Sequence, residues 1–167
     1  MAAEADMRRI FRILKNNVDN VISPKIMKEL GTAAAAMIKL RSRLGYGVTG
    51  SRGNVKRKKF KKLADATIES RERFKKLHGD TTPKRSNLTF RGIMLDSLKV
   101  TSVNDGKVVV NVTGNNKGIS NVDLAEIHET GDGLPRRRFL DLTIPEEKKI
   151  NRLYRQRFGD LVKKGLT

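Results

Sequence analysis

The tightest local constraint on this chain lies between Asn121 and Thr143, which reads Asn-Val-Asp-Leu-Ala-Glu-Ile-His-Glu-Thr-Gly-Asp-Gly-Leu-Pro-Arg-Arg-Arg-Phe-Leu-Asp-Leu-Thr. Leu124, Ile127 and His128 fall at i, i+3 and i+4, so they share one face of a short helix that Asn121 is placed to cap. Gly131 stands where such a helix should stop, because a residue without Cβ enters the left-handed region freely. Pro135 fixes its own φ and biases Leu134 towards extended geometry, which predicts a rigid corner carrying Arg136, Arg137 and Arg138. Phe139 and Leu140 follow as the apolar anchor of that corner in the core. The competing reading is a surface loop whose arginines are solvated.

A corner of this kind needs a core to dock against, and the chain offers a modest one. Its 167 residues are one ordinary domain's worth, read as a single domain over 1–167, but only 37% are hydrophobic and 5% aromatic, with no tryptophan. Part of its stability is therefore expected from association with other subunits. Lys and Arg outnumber Asp and Glu by 36 to 18, a net charge of +18, which fits a chain facing polyanion or acidic partners. With no cysteine there is no disulfide framework or thiolate metal site, and a reducing compartment is compatible. The amino terminus mixes acidic and basic residues without an apolar segment, so no signal peptide is expected. The longest apolar run, Ala33 to Ile38, is far too short to cross a bilayer. The expectation is a protein made and assembled in a cytoplasm, with no membrane contact.

Helical periodicity dominates the first part of the chain. Met7, Ile10, Phe11, Leu14, Val18 and Val21 predict an amphipathic helix from about Ala3 to Ile22. Ser23-Pro24 marks a break and restart, and a second helix is predicted from Pro24 to about Leu44. Its four consecutive alanines suit close approach of a neighbouring helix, from the same subunit or the next. Gly31 weakens its middle by about 1 kcal/mol, which is tolerable only if something packs there. Gly45 to Gly53 contains the spacing G-x-G-x-x-G, but a dinucleotide site needs a strand before those glycines and a helix directly after them. Here a helix precedes and a basic stretch follows, so no cofactor is expected. The stretch at about 45–62 reads as a glycine-rich basic loop or arm. Within it Arg52, Lys56, Arg57, Lys58, Lys59, Lys61 and Lys62 occur without an acid, a candidate polyanion contact or, equally, a solvated arm.

Leu63, Ala66, Thr67, Ser70 and Phe74 predict a third, polar helix ending near His78-Gly79, followed by a turn-rich linker to Ser86. Leu88, Ile93, Met94, Leu95 and Leu98 predict a short helix leading into a strand. Asn104-Asp105-Gly106-Lys107, flanked by valine-rich runs, predicts a hairpin over Lys99 to Thr113, and Gly114 to Gly118 a polar loop. Two strands alone are marginal in water, so helices must cover this hairpin or neighbouring subunits extend it. Thr143-Ile144-Pro145-Glu146 matches a capping box that opens a last amphipathic helix to about Lys164. Its apolar positions are Ile150, Leu153, Tyr154, Phe158, Leu161 and Val162. The fold class expected is α+β, with long N-terminal helices, a small antiparallel hairpin or sheet, a short helix and a C-terminal amphipathic helix.

Catalysis finds little to work with. His78 falls at the expected end of the third helix and His128 on an apolar face, and no metal-binding or nucleophile-elbow phrase occurs. Glu126, Glu129, Asp132 and Asp141 surround the arginine corner and are expected to pair with Arg136, Arg137 and Arg138, in this subunit or the next. No set of nucleophile, base and stabiliser is present, so the chain is not expected to be an enzyme.

The short helix with His128 and Gly131, followed by Pro135, Arg137, Phe139 and Leu140, resembles the tail-completion and virion-morphogenesis proteins of tailed bacteriophages. Arg136 and Arg138 stand where that family more often carries a small residue and a second proline. Leu88, Thr89, Gly92, Met94 and Ser97 match a second phrase of the family, ahead of its hairpin and in the family's order. The resemblance covers roughly Leu88 to Leu142. It implies a small α+β neck protein that forms a homo-oligomeric ring at the head–tail junction of the virion. Its implied partners are portal, other neck and tail proteins, with packaged DNA in the channel. The alternative is a basic nucleic-acid-binding protein that uses the 52–62 cluster on phosphates.

Overall fold

The computed structural model describes residues 24–51, 53–78, 84, 86, 88, 92–104, 107–116 and 118–166. The helix expected over 3–22, Arg52, most of the 79–86 linker, Thr89 and the Asp105-Gly106 turn lie outside the described residues. The architecture is α+β: a long helix, small antiparallel hairpins and later helices.

Helix α1 (Pro24–Arg43) is the spine. Leu30, Gly31, Ala35, Ile38, Arg41 and Ser42 form its buried stripe, at the spacing of one helical face. Strands β1 (Tyr46–Thr49) and β2 (Lys56–Lys59) pair antiparallel, with Tyr46 opposite Lys59 and Thr49 opposite Lys56. The stretch read as a basic loop or arm is therefore a hairpin. All four β2 side chains are exposed, so no in–out alternation marks the strand. The apolar residues at its two ends, Val55 and Phe60, are buried and hold it in place. The three glycines Gly45, Gly47 and Gly50 run from the end of α1 through β1, the reverse of the order a dinucleotide site requires.

Helix α2 (Asp65–His78) follows. Its inward residue is Arg71, flanked by the half-buried Ile68 and Phe74, whereas Ala66, Thr67 and Ser70 are exposed. Helix α3 (Ile93–Asp96) leads into the hairpin of β3 (Lys99–Asn104) and β4 (Lys107–Asn111), as the pattern predicts. A register shift between Val100 and Ser102 kinks β3. Helix α1 covers this hairpin. A Cβ on Gly31 would lie 2.5 Å from a Val108 methyl and 2.8 Å from one of Val100, so the glycine is the point where sheet and helix touch. Part of the predicted loop after Thr113 pairs as β5 (Asn115–Asn116) and β6 (Ile119–Ser120).

Helix α4 (Asn121–Thr130) is capped by Ser120, not by Asn121: the Ser120 hydroxyl accepts from Val122 and Asp123 N–H. Asn121 is freed for the interior, where its Nδ2 donates to the Thr113 carbonyl at 2.8 Å. Helix α5 (Ile144–Leu166) opens at Thr143, whose N–H donates to Glu146 Oε2 at 2.8 Å. The Thr143 hydroxyl donates to that same oxygen, so only the glutamate half of a capping box forms. Arg157 on α5 binds Glu29 on α1, with its Nε 3.1 Å from both carboxylate oxygens. Tyr154 and Phe158, expected as packing positions, remain exposed, because nothing in the described chain covers that side of α5.

One apolar cluster joins α1, α3, α4 and the hairpins: Ala35, Ile38, Phe60, Leu88, Met94, Leu95, Leu98, Val112, Ala125 and Phe139. Phe139 and Leu95 are fully buried at its centre.

Candidate functional site

The segment after α4 is built residue by residue into a packed corner. Gly131 ends the helix at φ 86°, in the left-handed region, and its N–H closes onto the Ile127 carbonyl at 2.8 Å. A Cβ there would come 2.9 Å from that of Arg136, so the turn is closed down on the arginine segment. The chain then doubles back, and Arg137 N–H donates to the His128 carbonyl at 2.7 Å. Pro135 is exposed at the apex.

Three elements grip the backbone of the corner. From α4, Glu129 Oε1 accepts the N–H groups of Phe139 and Leu140 at 2.6 and 2.8 Å. From β1, Val48 N–H donates to the Arg138 carbonyl at 2.9 Å. From α1, Arg41 Nη2 donates to the Phe139 and Asp141 carbonyls, both at 2.7 Å, and Nη1 binds Glu146 at the start of α5. Arg41 is buried, and that burial pushes its guanidinium below the usual arginine value while Glu146 pulls it back up. It remains charged, as arginine does in proteins. Gly47 leaves room for the contact: a Cβ would sit 2.1 Å from the Arg138 carbonyl oxygen.

The three arginines meet different fates. Arg136 is exposed, and its Nε donates to the Glu129 carbonyl at 2.7 Å. Arg138 donates to the Gly50 carbonyl at 2.8 Å and lies 3.7 Å from both Glu129 and Asp141 carboxylates. Arg137 turns inward and is only 7% exposed. Its Nη1 reaches the Pro135 carbonyl at 3.3 Å, and its Nε is buried without a partner. Within the subunit Arg138 makes the expected pairing with carboxylates, whereas among the described residues Arg136 and Arg137 meet backbone carbonyls instead. Glu126 and Asp132, expected at the corner, instead line a shallow hollow beside Asp123. Phe139 is wholly buried and Leu140 packs half-buried against the core. His128 has a buried, unpartnered Nδ1, and burial together with the Arg137 charge lowers its pKa to about 4. The imidazole is neutral at physiological pH.

The second cationic region is β2. Lys56, Arg57, Lys58 and Lys59 are exposed, as are Lys61 and Lys62 just beyond. Arg57 lies 3.5 Å above the Tyr46 ring, a cation–π contact that flattens one side chain on the sheet. The corner and the strand are neighbours, because β1 touches both: it pairs with β2 and donates from Val48 to Arg138.

Arg41, Gly47 and Glu146 were not singled out as parts of the corner from the sequence, and Glu129 was expected to pair with its arginines, not to accept from its backbone. The available signals were positional. Arg41 falls three residues after Ile38 on the apolar stripe of α1, and Glu146 completes the capping phrase. Among the described residues, no three His, Cys, Asp or Glu side chains converge as a metal ion would require. No described helix is long and apolar enough to cross a membrane. No protein-family model, curated protein or solved structure matches the chain.

Proposed function

We propose that the chain is a structural subunit of a tailed-bacteriophage neck, a tail-completion or adaptor protein that joins portal and tail as a ring around the DNA channel. The observation that carries this reading is the construction of the Pro135–Leu140 corner. The residues of the resemblance are gripped by α1, β1 and α4 and end in the fully buried Phe139. A motif that specifies a packed corner is a property of a fold, not of a chance surface loop.

Two further features support association. The hairpins are two-stranded, and each leaves edges on which a neighbouring strand can pair. Leu40 on α1, Leu44 just after it, and Tyr154 and Phe158 on α5 are apolar side chains left more than a third exposed. In a head-to-tail ring such surfaces are covered by the next copy. The exposed cations of β2 then face DNA or acidic surfaces of other neck proteins.

Electron microscopy of purified phage particles carrying a tagged copy tests the proposal. Density for several copies in a ring at the head–tail junction is the expected result; absence of the chain from mature particles would overturn it. One observation favours a second reading, nucleic-acid binding: four consecutive cations presented together on β2. If that strand contacts about four duplex phosphates, log–log plots of affinity against salt should have a slope of roughly −3.6. A flat plot removes that reading.

A further inference from the structure

A cleft of about 650 Å³ opens between α2 and the corner. Its walls include Leu63, Leu88 and Leu134, and its lining brings together Arg71, His128 and Arg137. Both arginines are more than nine-tenths buried. Burial first, and the charge on Arg137 second, lower the pKa of both Arg71 and His128, so the three groups share one electrostatic neighbourhood. Among the described residues no Asp or Glu lines the cleft and no carboxylate pairs with Arg137.

This arrangement is costly for a folded chain alone. A guanidinium taken out of water needs a counter-charge or a full set of acceptors. Arg137 has one long contact to the Pro135 carbonyl and an Nε with nothing to donate to. One group relieves the cost at Arg137: an oxyanion, whose paired oxygens match the guanidinium fork.

We propose that this cleft is an oxyanion-binding site, in which Arg137 is the principal ligand and Arg71 the second cation. The class of ligand is a carboxylate or phosphate group. The leucine walls favour one carried on an aliphatic body, such as a small fatty carboxylate or an acidic side chain among apolar neighbours. The exposed β2 strand suits phosphates that remain in water, whereas this cleft suits an anion that gives up its water. The site is independent of the assembly to which the protein belongs.

The test uses the full chain in chloride buffer at constant ionic strength, titrated separately with inorganic phosphate and with butyrate. The probes are the Arg137 Nε–H and His128 ring resonances by NMR. A saturable shift with either anion, absent with added chloride, is expected, and the stronger binder of the two identifies the source of the oxyanion. Arg137→Gln should weaken that binding about tenfold or more, the loss of a charge-assisted hydrogen bond. Lys58→Gln, on the exposed strand, should leave it unchanged. No saturable shift in the wild-type chain overturns the proposal. So does a shift that survives Arg137→Gln intact or disappears with Lys58→Gln. If Arg137→Gln does not fold, the wild-type titration and the Lys58→Gln control still decide the outcome.

Discussion

Two arginine- and lysine-rich regions sit side by side in this protein and have opposite physical characters. The Pro135–Leu140 corner turns one guanidinium into the interior and uses its backbone to meet α1, β1 and α4. Strand β2 carries four cations in a row, and all of them point to water. The corner holds its guanidiniums against the fold's own carbonyls and carboxylates, while the strand's cations remain available to a partner. A high density of positive charge is therefore no guide to where a polyanion binds. A buried phenylalanine directly follows the cations in both cases, Phe60 after Lys59 and Phe139 after Arg138, so what separates them is that α1, β1 and α4 all close on the backbone of the corner.

The contrast makes graded predictions. The largest effect belongs to Arg41→Ala. It strands the Phe139 and Asp141 carbonyls and leaves Glu146 without its cation, so the unfolding free energy should drop by about 3–5 kcal/mol in urea titrations. A loss below about 1 kcal/mol would mean that the corner does not depend on α1.

Next comes pH. His128 is held neutral in the folded state at a pKa of about 4, against 6.5 for the free side chain. Above pH 6.5 both states are neutral and the group has no influence. As the pH falls from 6.5 towards 4 the unfolded chain takes up a proton that the folded chain refuses, so stability is lost across that window. The loss should be about 2–3 kcal/mol, after allowing for the partial contact of the ring with water. Urea midpoints at pH 7 and pH 4.5 measure it, and His128→Gln should flatten the dependence.

Gly47→Ala comes third, at about 1–3 kcal/mol. Its methyl would meet the Arg138 carbonyl oxygen at 2.1 Å and the Phe60 ring at 2.5 Å, which forces β1 away from the corner. Calorimetry of the variant should show a lowered Tm with the fold retained. The smallest effect on stability, within about 0.5 kcal/mol, is expected for Lys56→Gln with Lys58→Gln. If β2 is a polyanion contact, the same double variant should reduce the salt slope of duplex binding by roughly 1.8. A large stability loss from it would erase the distinction between the two regions.

Much of the architecture was legible along the chain. Pro24 and the apolar stripe marked α1, the valine-rich runs marked β3 and β4, and Gly131 marked the end of α4. The misreadings share one cause. Ser120 and Asn121 both suit a cap, and only the Thr113 carbonyl waiting inside assigns Asn121 to the core. Four adjacent cations give β2 no alternation to detect, since its register comes from pairing with β1. Arg71 and Arg137 look like solvated residues because a sequence records their charge but not the cavity around them.

Local chemistry alone therefore set the places where this chain turns and stops: a proline's fixed φ, a glycine's left-handed freedom and the period of apolar side chains act over a few residues. Packing of distant segments settled the rest. Whether a guanidinium lies in water or in the core depends on which carbonyls and carboxylates arrive from elsewhere. For Arg41 those come from Phe139, Asp141 and Glu146, about a hundred residues further along the chain.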